Sequence, residues 1–183
     1  MKKLLSIAIV FLAVSLVHSQ VVSTDKIIGD YKKDVETLTK YSKEVGKFDT
    51  YKKISLKNNK TDEVKKFTEL SEFDKNIFCL FQRLKFEDNL RKLQYEWVGV
   101  FKKLNTDDDK GKADDPDTAI AKANHVSKSL DNLFELRKQV AFDTEAAMEK
   151  LFKDYPEKFD EKEKELTLKQ LKETHDKEKL IKR

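Results

Sequence analysis

Six aspartates surround one glycine in residues 105–117, which read NTDDDKGKADDPD, and clustered carboxylates around a glycine are the chemistry of a calcium-binding loop. An EF-hand loop needs oxygen ligands at its positions 1, 3 and 5, glycine at 6 and a bidentate glutamate at 12. With Gly111 at the glycine position, Lys110 takes a ligand position and the shorter Asp117 replaces the glutamate. Because lysine cannot coordinate a cation, the segment is predicted to be a solvated turn between helices. A weak cation site is the alternative.

Histidine and cysteine form no catalytic or metal-binding pattern in this sequence. His125 and His175 each lack a cysteine or a second histidine at metal-ligand spacing. Cys79 is the only cysteine, so no intrachain disulfide can form, and its apolar neighbours predict a buried structural thiol. Carboxylate pairs occur throughout so charged a chain, and none stands out as an acid–base pair. We therefore predict no catalytic residue, no metal, no cofactor and no enzymatic activity.

One short motif predicts a covalent modification. Asn59-Lys60-Thr61 fits the N-glycosylation sequon and falls in a stretch predicted to be a loop. In a secreted protein such a loop is accessible to the glycosylation machinery. The sequence therefore predicts a glycoprotein with its glycan on Asn59.

Aromatic side chains between residues 67 and 101 suggest two different roles. The simpler interpretation is a core packed between helices. The second is a lining for a fatty acid or another apolar ligand, since Phe78 and Phe86 lie off the main apolar stripe and widen it. The side chains expected to line such a site are Phe78, Phe81, Phe86, Trp97 and Phe101.

The N-terminus has the pattern of a secretory signal peptide. Lys2 and Lys3 precede an uncharged stretch from Leu4 to Val17, and small Ser19 suits the cleavage position. That stretch, at about 14 residues, is shorter than the roughly 18–20 residues that span a bilayer. We expect residues 1–19 to be removed and residues 20–183 to form a single extracellular domain that does not span a membrane.

Charge and composition narrow the class of protein further. Cleavage would remove two of the 38 basic residues and leave 36 against 34 acidic ones, a net charge of +2. So small an excess predicts no nucleic-acid partner. Only four glycines and two prolines occur in 183 residues, which favours long solvated helices over sheets with tight turns.

Apolar residues recur at steps of three and four, the period of amphipathic helices. A first helix is predicted to end at Gly46, and a lysine-rich loop at 47–60 precedes a short helix containing Val64. Ser71 has the spacing of a helix cap for the next long helix, in which the stripe shifts register at 85–89 and predicts a bend or a second start. Pro116 is expected to begin the third long helix.

The predicted fold class is therefore all-α, an antiparallel bundle of three to five long amphipathic helices with coiled-coil-like packing. Pro156 should end the third long helix, and residues 157–183 should form a highly charged C-terminal helix. Such a chain is expected to act by binding another protein through its helix faces. A carrier of fatty acid or another apolar ligand is the alternative.

Overall fold

A computed structural model describes the protein over residues 31–107 and 116–179, and most of these residues are helical, as the predicted all-α class requires. The four helices are α1 (Tyr31–Glu44), α2 (Glu72–Asp107), α3 (Pro116–Asp154) and α4 (Glu161–Lys179). Two short strands, β1 (Ser55–Lys57) and β2 (Val64–Lys66), pair between α1 and α2. Short 3-10 turns lie at Phe48–Tyr51, Phe67–Glu69 and Pro156–Lys158.

Several predictions fall on the remainder of the chain. The signal peptide, the start of the first helix and residues 108–115 of the aspartate-rich segment lie outside the described residues. These stay predictions. None of the four described helices is both long and apolar enough to cross a membrane.

The start of α2 follows the predicted capping chemistry. The backbone N–H of Asp74 donates to Oγ of Ser71 over 3.1 Å, and the Ser71 hydroxyl donates to the Asp74 carboxylate over 2.6 Å. These bonds satisfy one of the orphan amides of the first turn. The helix then runs unbroken to Asp107, so the predicted second start near residues 85–89 is wrong.

The register shift in α2 arises from a change of packing partner along the helix. Up to Leu84, α2 packs in an end cluster with α3 and α4, and from Phe86 onward it packs in a central cluster with α1 and α3. Buried members of the end cluster are Leu80, Met148, Leu151 and Phe152. Those of the central cluster are Val45, Phe86, Leu90, Trp97, Leu133, Leu136 and Val140. Helix α3 contributes to both clusters, but the third helix is α4 in one and α1 in the other. The apolar stripe of α2 shifts around the helix axis where this third helix changes.

Helix α3 begins at Pro116 and ends at Asp154, two residues before Pro156, as predicted. Proline suits the first helical position because the amide there has no partner within the helix, whereas it cannot extend a helix from its C-terminal end. The contacts between α2 and α3 come in opposite order along the chain. Phe73, near the start of α2, stacks edge-on against Tyr155 just after α3, with ring centroids 5.1 Å apart.

The region between α1 and α2 differs most from the prediction. In place of a short helix through Val64, β1 and β2 form an antiparallel hairpin in which Lys57 lies opposite Val64. The prediction of a short helix here is wrong. Val64, which was expected on its apolar face, is exposed, and Phe67 in the following 3-10 turn is the buried residue. Phe67 packs with Tyr51 and Cys79 in a hairpin cluster. Three-residue strands are too short to show the alternation that identifies a strand in sequence.

Leu133 tests the central cluster, because its side chain is 0% exposed. Leu133→Ala should lower the free energy of unfolding by roughly 2–5 kcal/mol, as truncation of buried leucines does. Phe142→Ala removes a larger side chain on the same helix, but at 68% exposure it should cost less than about 0.5 kcal/mol. Urea unfolding followed by circular dichroism measures both, and equal losses would contradict this packing.

Candidate functional site

The five aromatic residues predicted to line an apolar ligand site are divided among different surroundings. Phe86 and Trp97 are buried in the central cluster, where Trp97 is 2% exposed. Phe78 packs in the hairpin cluster, with its ring centroid 5.0 Å from that of Tyr51. Phe81 and Phe101 are partly buried. None of the five lines the hollow of about 340 Å³ on α3 or that of about 190 Å³ at the hairpin.

Asn59 lies exposed in the turn of the hairpin, between β1 and β2. The turn is held by its neighbours, since Oδ1 of Asn58 accepts a hydrogen bond from the backbone N–H of Lys60 over 3.0 Å. The sequon therefore lies in an exposed turn between the two strands. Glycosylation itself stays a prediction.

The least expected polar arrangement in the molecule centres on His175. This side chain on α4 is buried, with the residue 4% exposed, and contacts carboxylates from two other helices. Its Nδ1 lies 2.5 Å from Oε1 of Glu145 on α3, and its Nε2 lies 3.0 Å from Oε2 of Glu87 on α2. One imidazole thus ties three helices together.

The charge of this cluster follows from its hydrogen bonds. Burial alone would lower the pKa of His175, but the hydrogen bonds and negative charges of Glu87 and Glu145 outweigh it and raise the pKa above its ordinary value. Only the imidazolium carries an N–H on both nitrogens, so only it can donate to both carboxylates. The second oxygen of Glu87, Oε1, is buried and has no hydrogen-bond partner. His175, Glu87 and Glu145 therefore form a charged cluster with little access to solvent.

The sequence showed no metal-ligand partner for His175, and this site was not predicted from it. A signal was present within α4: Leu168, Leu171 and His175 follow each other at steps of three and four, which places the histidine on the apolar face. Leu168 and Leu171 indeed pack against the end cluster. Glu87 and Glu145 have no such signal, because their distances from His175 along the chain are long. His125, the other candidate, is exposed on α3.

A hollow of about 340 Å³ opens to solvent beside His175. Most of its lining comes from one face of α3, and Phe142 at its edge is 68% exposed. The Lys138 ammonium lies 4.8 Å from the centre of the Phe134 ring, a cation–π contact that holds both side chains. Arg137 donates a hydrogen bond to Gln94 of α2. These contacts fix the shape of the hollow.

The arrangement suits binding better than acid–base chemistry. Both nitrogens of His175 are bonded to carboxylates, so the imidazole offers no lone pair to a substrate proton. Among the residues the structure describes, no group of three His, Cys, Asp or Glu side chains is placed to hold a metal ion. The hollow instead combines aromatic faces with cations held by neighbouring groups.

The reactivity of the Cys79 thiol, the one cysteine nucleophile of the sequence, can be measured directly. Burial raises the pKa of this thiol to about 11, with a smaller opposing effect of Arg83. At pH 8 about one thiol in a thousand is then ionised, against about one in four at the ordinary value. A disulfide reagent should therefore react at least tenfold more slowly, in order of magnitude, with the folded protein than with the urea-unfolded chain. Equal rates would show that Cys79 is accessible and ionised.

Comparison of the chain with models of protein families, with curated protein sequences and with solved structures finds no match. No relative therefore supplies a site or an activity by analogy. The candidate site is the exposed face of α3 together with the buried cluster of His175, Glu87 and Glu145 beside it.

Proposed function

We propose that the protein is a secreted, non-enzymatic helical bundle that acts by binding another protein through the exposed face of α3. In this proposal the helices pack antiparallel, α4 is the charged C-terminal helix, and Asn59 carries a glycan. The observation that carries the proposal is Phe142, a large aromatic side chain 68% exposed at the edge of a structured hollow.

The chemistry of this face fits the centre of a protein interface. Hot spots in interfaces are rich in aromatic residues and arginine that sit in pockets from which the partner excludes water. Phe134, Arg137 and Phe142 supply these groups, and the bond from Arg137 to Gln94 fixes the arginine before binding. Less side-chain entropy is then lost when a partner docks.

The hollow also defines the chemistry of the partner's contact group. Most of its charged lining is already paired, because Lys138 pairs with Glu135 over 2.7 Å and Glu145 contacts His175. A charged group entering the hollow would gain little, whereas a large apolar side chain would cover the aromatic faces. The partner is therefore expected to present an apolar anchor surrounded by polar residues.

Photo-crosslinking from the α3 face tests this function. A benzoylphenylalanine placed at Phe142 should form a crosslinked adduct with a protein in conditioned medium or on the surface of the source cells. The same probe at Tyr41, an aromatic residue 42% exposed on α1, is the matched control and should not form that adduct. Excess unmodified protein should abolish the adduct, because it competes for the same partner.

The competitor can itself be varied. Phe142→Ser should compete at least tenfold less well, as expected where a central aromatic contributes more than about 1.4 kcal/mol to binding. Phe142→Ser must keep the circular dichroism spectrum of the parent. If Phe142→Ser competes as well as the parent, or if the probe at Tyr41 gives the same adduct, the α3 face is not the binding surface.

The alternative function is an extracellular carrier of fatty acid or a similar apolar ligand. Its support is the central cluster, in which Phe86 and Trp97 are both buried. A ligand could reach Trp97 only if these helices separate, since Trp97 is 2% exposed.

Carrier function has its own measurement. A fluorescent fatty acid should bind near-stoichiometrically, be displaced by an unlabelled long-chain fatty acid and change the emission of Trp97, the only tryptophan. Trp97→Phe should keep displacement and lose the emission change, which separates binding from the optical signal. Absence of displacement at micromolar ligand would leave those aromatics as core.

A further inference from the structure

Helix α4 is held by few apolar contacts. It contains three leucines among 19 residues, and Leu166 is 48% exposed, so Leu168 and Leu171 supply its leucine packing against the end cluster. Its salt bridge from Lys172 to Glu149 spans 2.9 Å, but both side chains are about half exposed. Exposed ion pairs contribute little, about 0–1 kcal/mol. The buried contact of His175 is therefore a large part of what fixes this helix.

We propose that His175, Glu87 and Glu145 form a pH-dependent clasp that holds α4 against α2 and α3 while the imidazole is protonated and loosens α4 when it is not. The proposal rests on the geometry of one buried imidazole between two carboxylates from different helices. It does not depend on the binding surface of α3. No other described histidine has this environment, because His125 is exposed.

Loss of one proton changes the clasp from attraction to repulsion. A neutral imidazole has one N–H, so it can donate to Glu87 or to Glu145 but not to both. The other carboxylate then faces a nitrogen lone pair, and two negative charges stay partly buried without a cation. Oε1 of Glu87, already buried without a hydrogen-bond partner, would gain solvent if α4 moved away. Separation of α4 relieves all three costs.

The other charges near the clasp do not reproduce this change. Lys172 on α4 has its pKa raised by its hydrogen bond to Glu149, so it stays protonated where His175 titrates. On α2, Asp88 is partly buried, but its hydrogen bonds from Lys92 and Arg91 lower its pKa overall, so it stays ionised. On α3, the further charged side chains of the hollow are Glu135, Arg137 and Lys138. His175 is thus the group whose ordinary pKa, about 6.5, lies in the neutral range.

The direction of the pH effect follows from the raised pKa of His175. The stabilisation of α4 is fully present below about pH 6.5, the value for the unfolded chain, and is lost as pH rises through the higher folded value. Opening of α4 uncovers the apolar surface of the end cluster, which includes Leu80, Met148 and Phe152. Alkaline conditions therefore favour exposure of a second, covered apolar surface.

Amide hydrogen exchange on the secreted chain, with NMR titration of the imidazoles, tests the clasp. Protection factors in α4 should fall between pH 6 and pH 9 by up to about tenfold for each unit by which the folded pKa of His175 exceeds 6.5. Amides of the α2–α3 segments in the central cluster should keep their protection. In the same spectra His175 should titrate above the ordinary histidine value of about 6.5.

Two variants separate a switch from a purely structural role. His175→Gln should make α4 protection independent of pH over this range, whereas His125→Gln, the matched control, should keep the parent's pH dependence. Should His175→Gln fail to fold, Glu87→Gln removes one charge, and both the NMR pKa and the exchange midpoint should move down together. The clasp is overturned if parent α4 protection does not change with pH, or if the change persists in His175→Gln. A His175 pKa at or below 6.5 would also overturn it.

Discussion

The pairing of α2 with α3 is the contact on which the rest of the fold depends. Each half of α2 shares α3 as a partner, but α1 completes the central cluster and α4 completes the end cluster. Leu90 and Leu133 are almost completely buried where α2 meets α3, and burial of such side chains supplies roughly 1.5–3 kcal/mol each. With no intrachain disulfide available, this apolar packing is the main source of order. The outer helices α1 and α4 are attached to an existing pair.

The two outer helices are attached by different physical means. Directly after α1, Val45 is fully buried in the central cluster, and the ring of Tyr41 on α1 lies 4.9 Å from that of Phe86. Helix α4 relies on leucines at the edge of the end cluster and on a buried ionic contact. Apolar contacts are insensitive to pH, whereas a buried ion pair loses its value, and leaves an uncompensated charge, once one partner titrates. The attachment of α4 therefore depends on pH, whereas the attachment of α1 does not.

The sequence predicted what local chemistry determines and missed what depends on distant residues. Pro116 and Ser71 act on the backbone next to them, so the helix starts they predict are observed. The register shift in α2 was interpreted as a bend or a second start, and the second start is wrong. The apolar stripe of a helix follows the helices that pack against it, and the sequence does not show where those helices lie. The hairpin was missed because its strands are three residues long. The helical spacing of Leu168, Leu171 and His175 indicates that His175 faces the core. No local pattern indicates that it contacts Glu87 or Glu145.

Under the proposed function, the protein has one binding surface that is exposed and a second apolar surface that is covered. The face of α3 around Phe142 is available without rearrangement, while the end cluster becomes available only when α4 leaves. A ligand can shift that equilibrium only by its differential affinity for the open form. Each tenfold change in the opening constant corresponds to about 1.4 kcal/mol, so deprotonation of His175 and a ligand for the covered surface act in the same direction. Protons bound at His175 and a ligand bound beneath α4 must therefore oppose each other, because linkage between two sites is reciprocal.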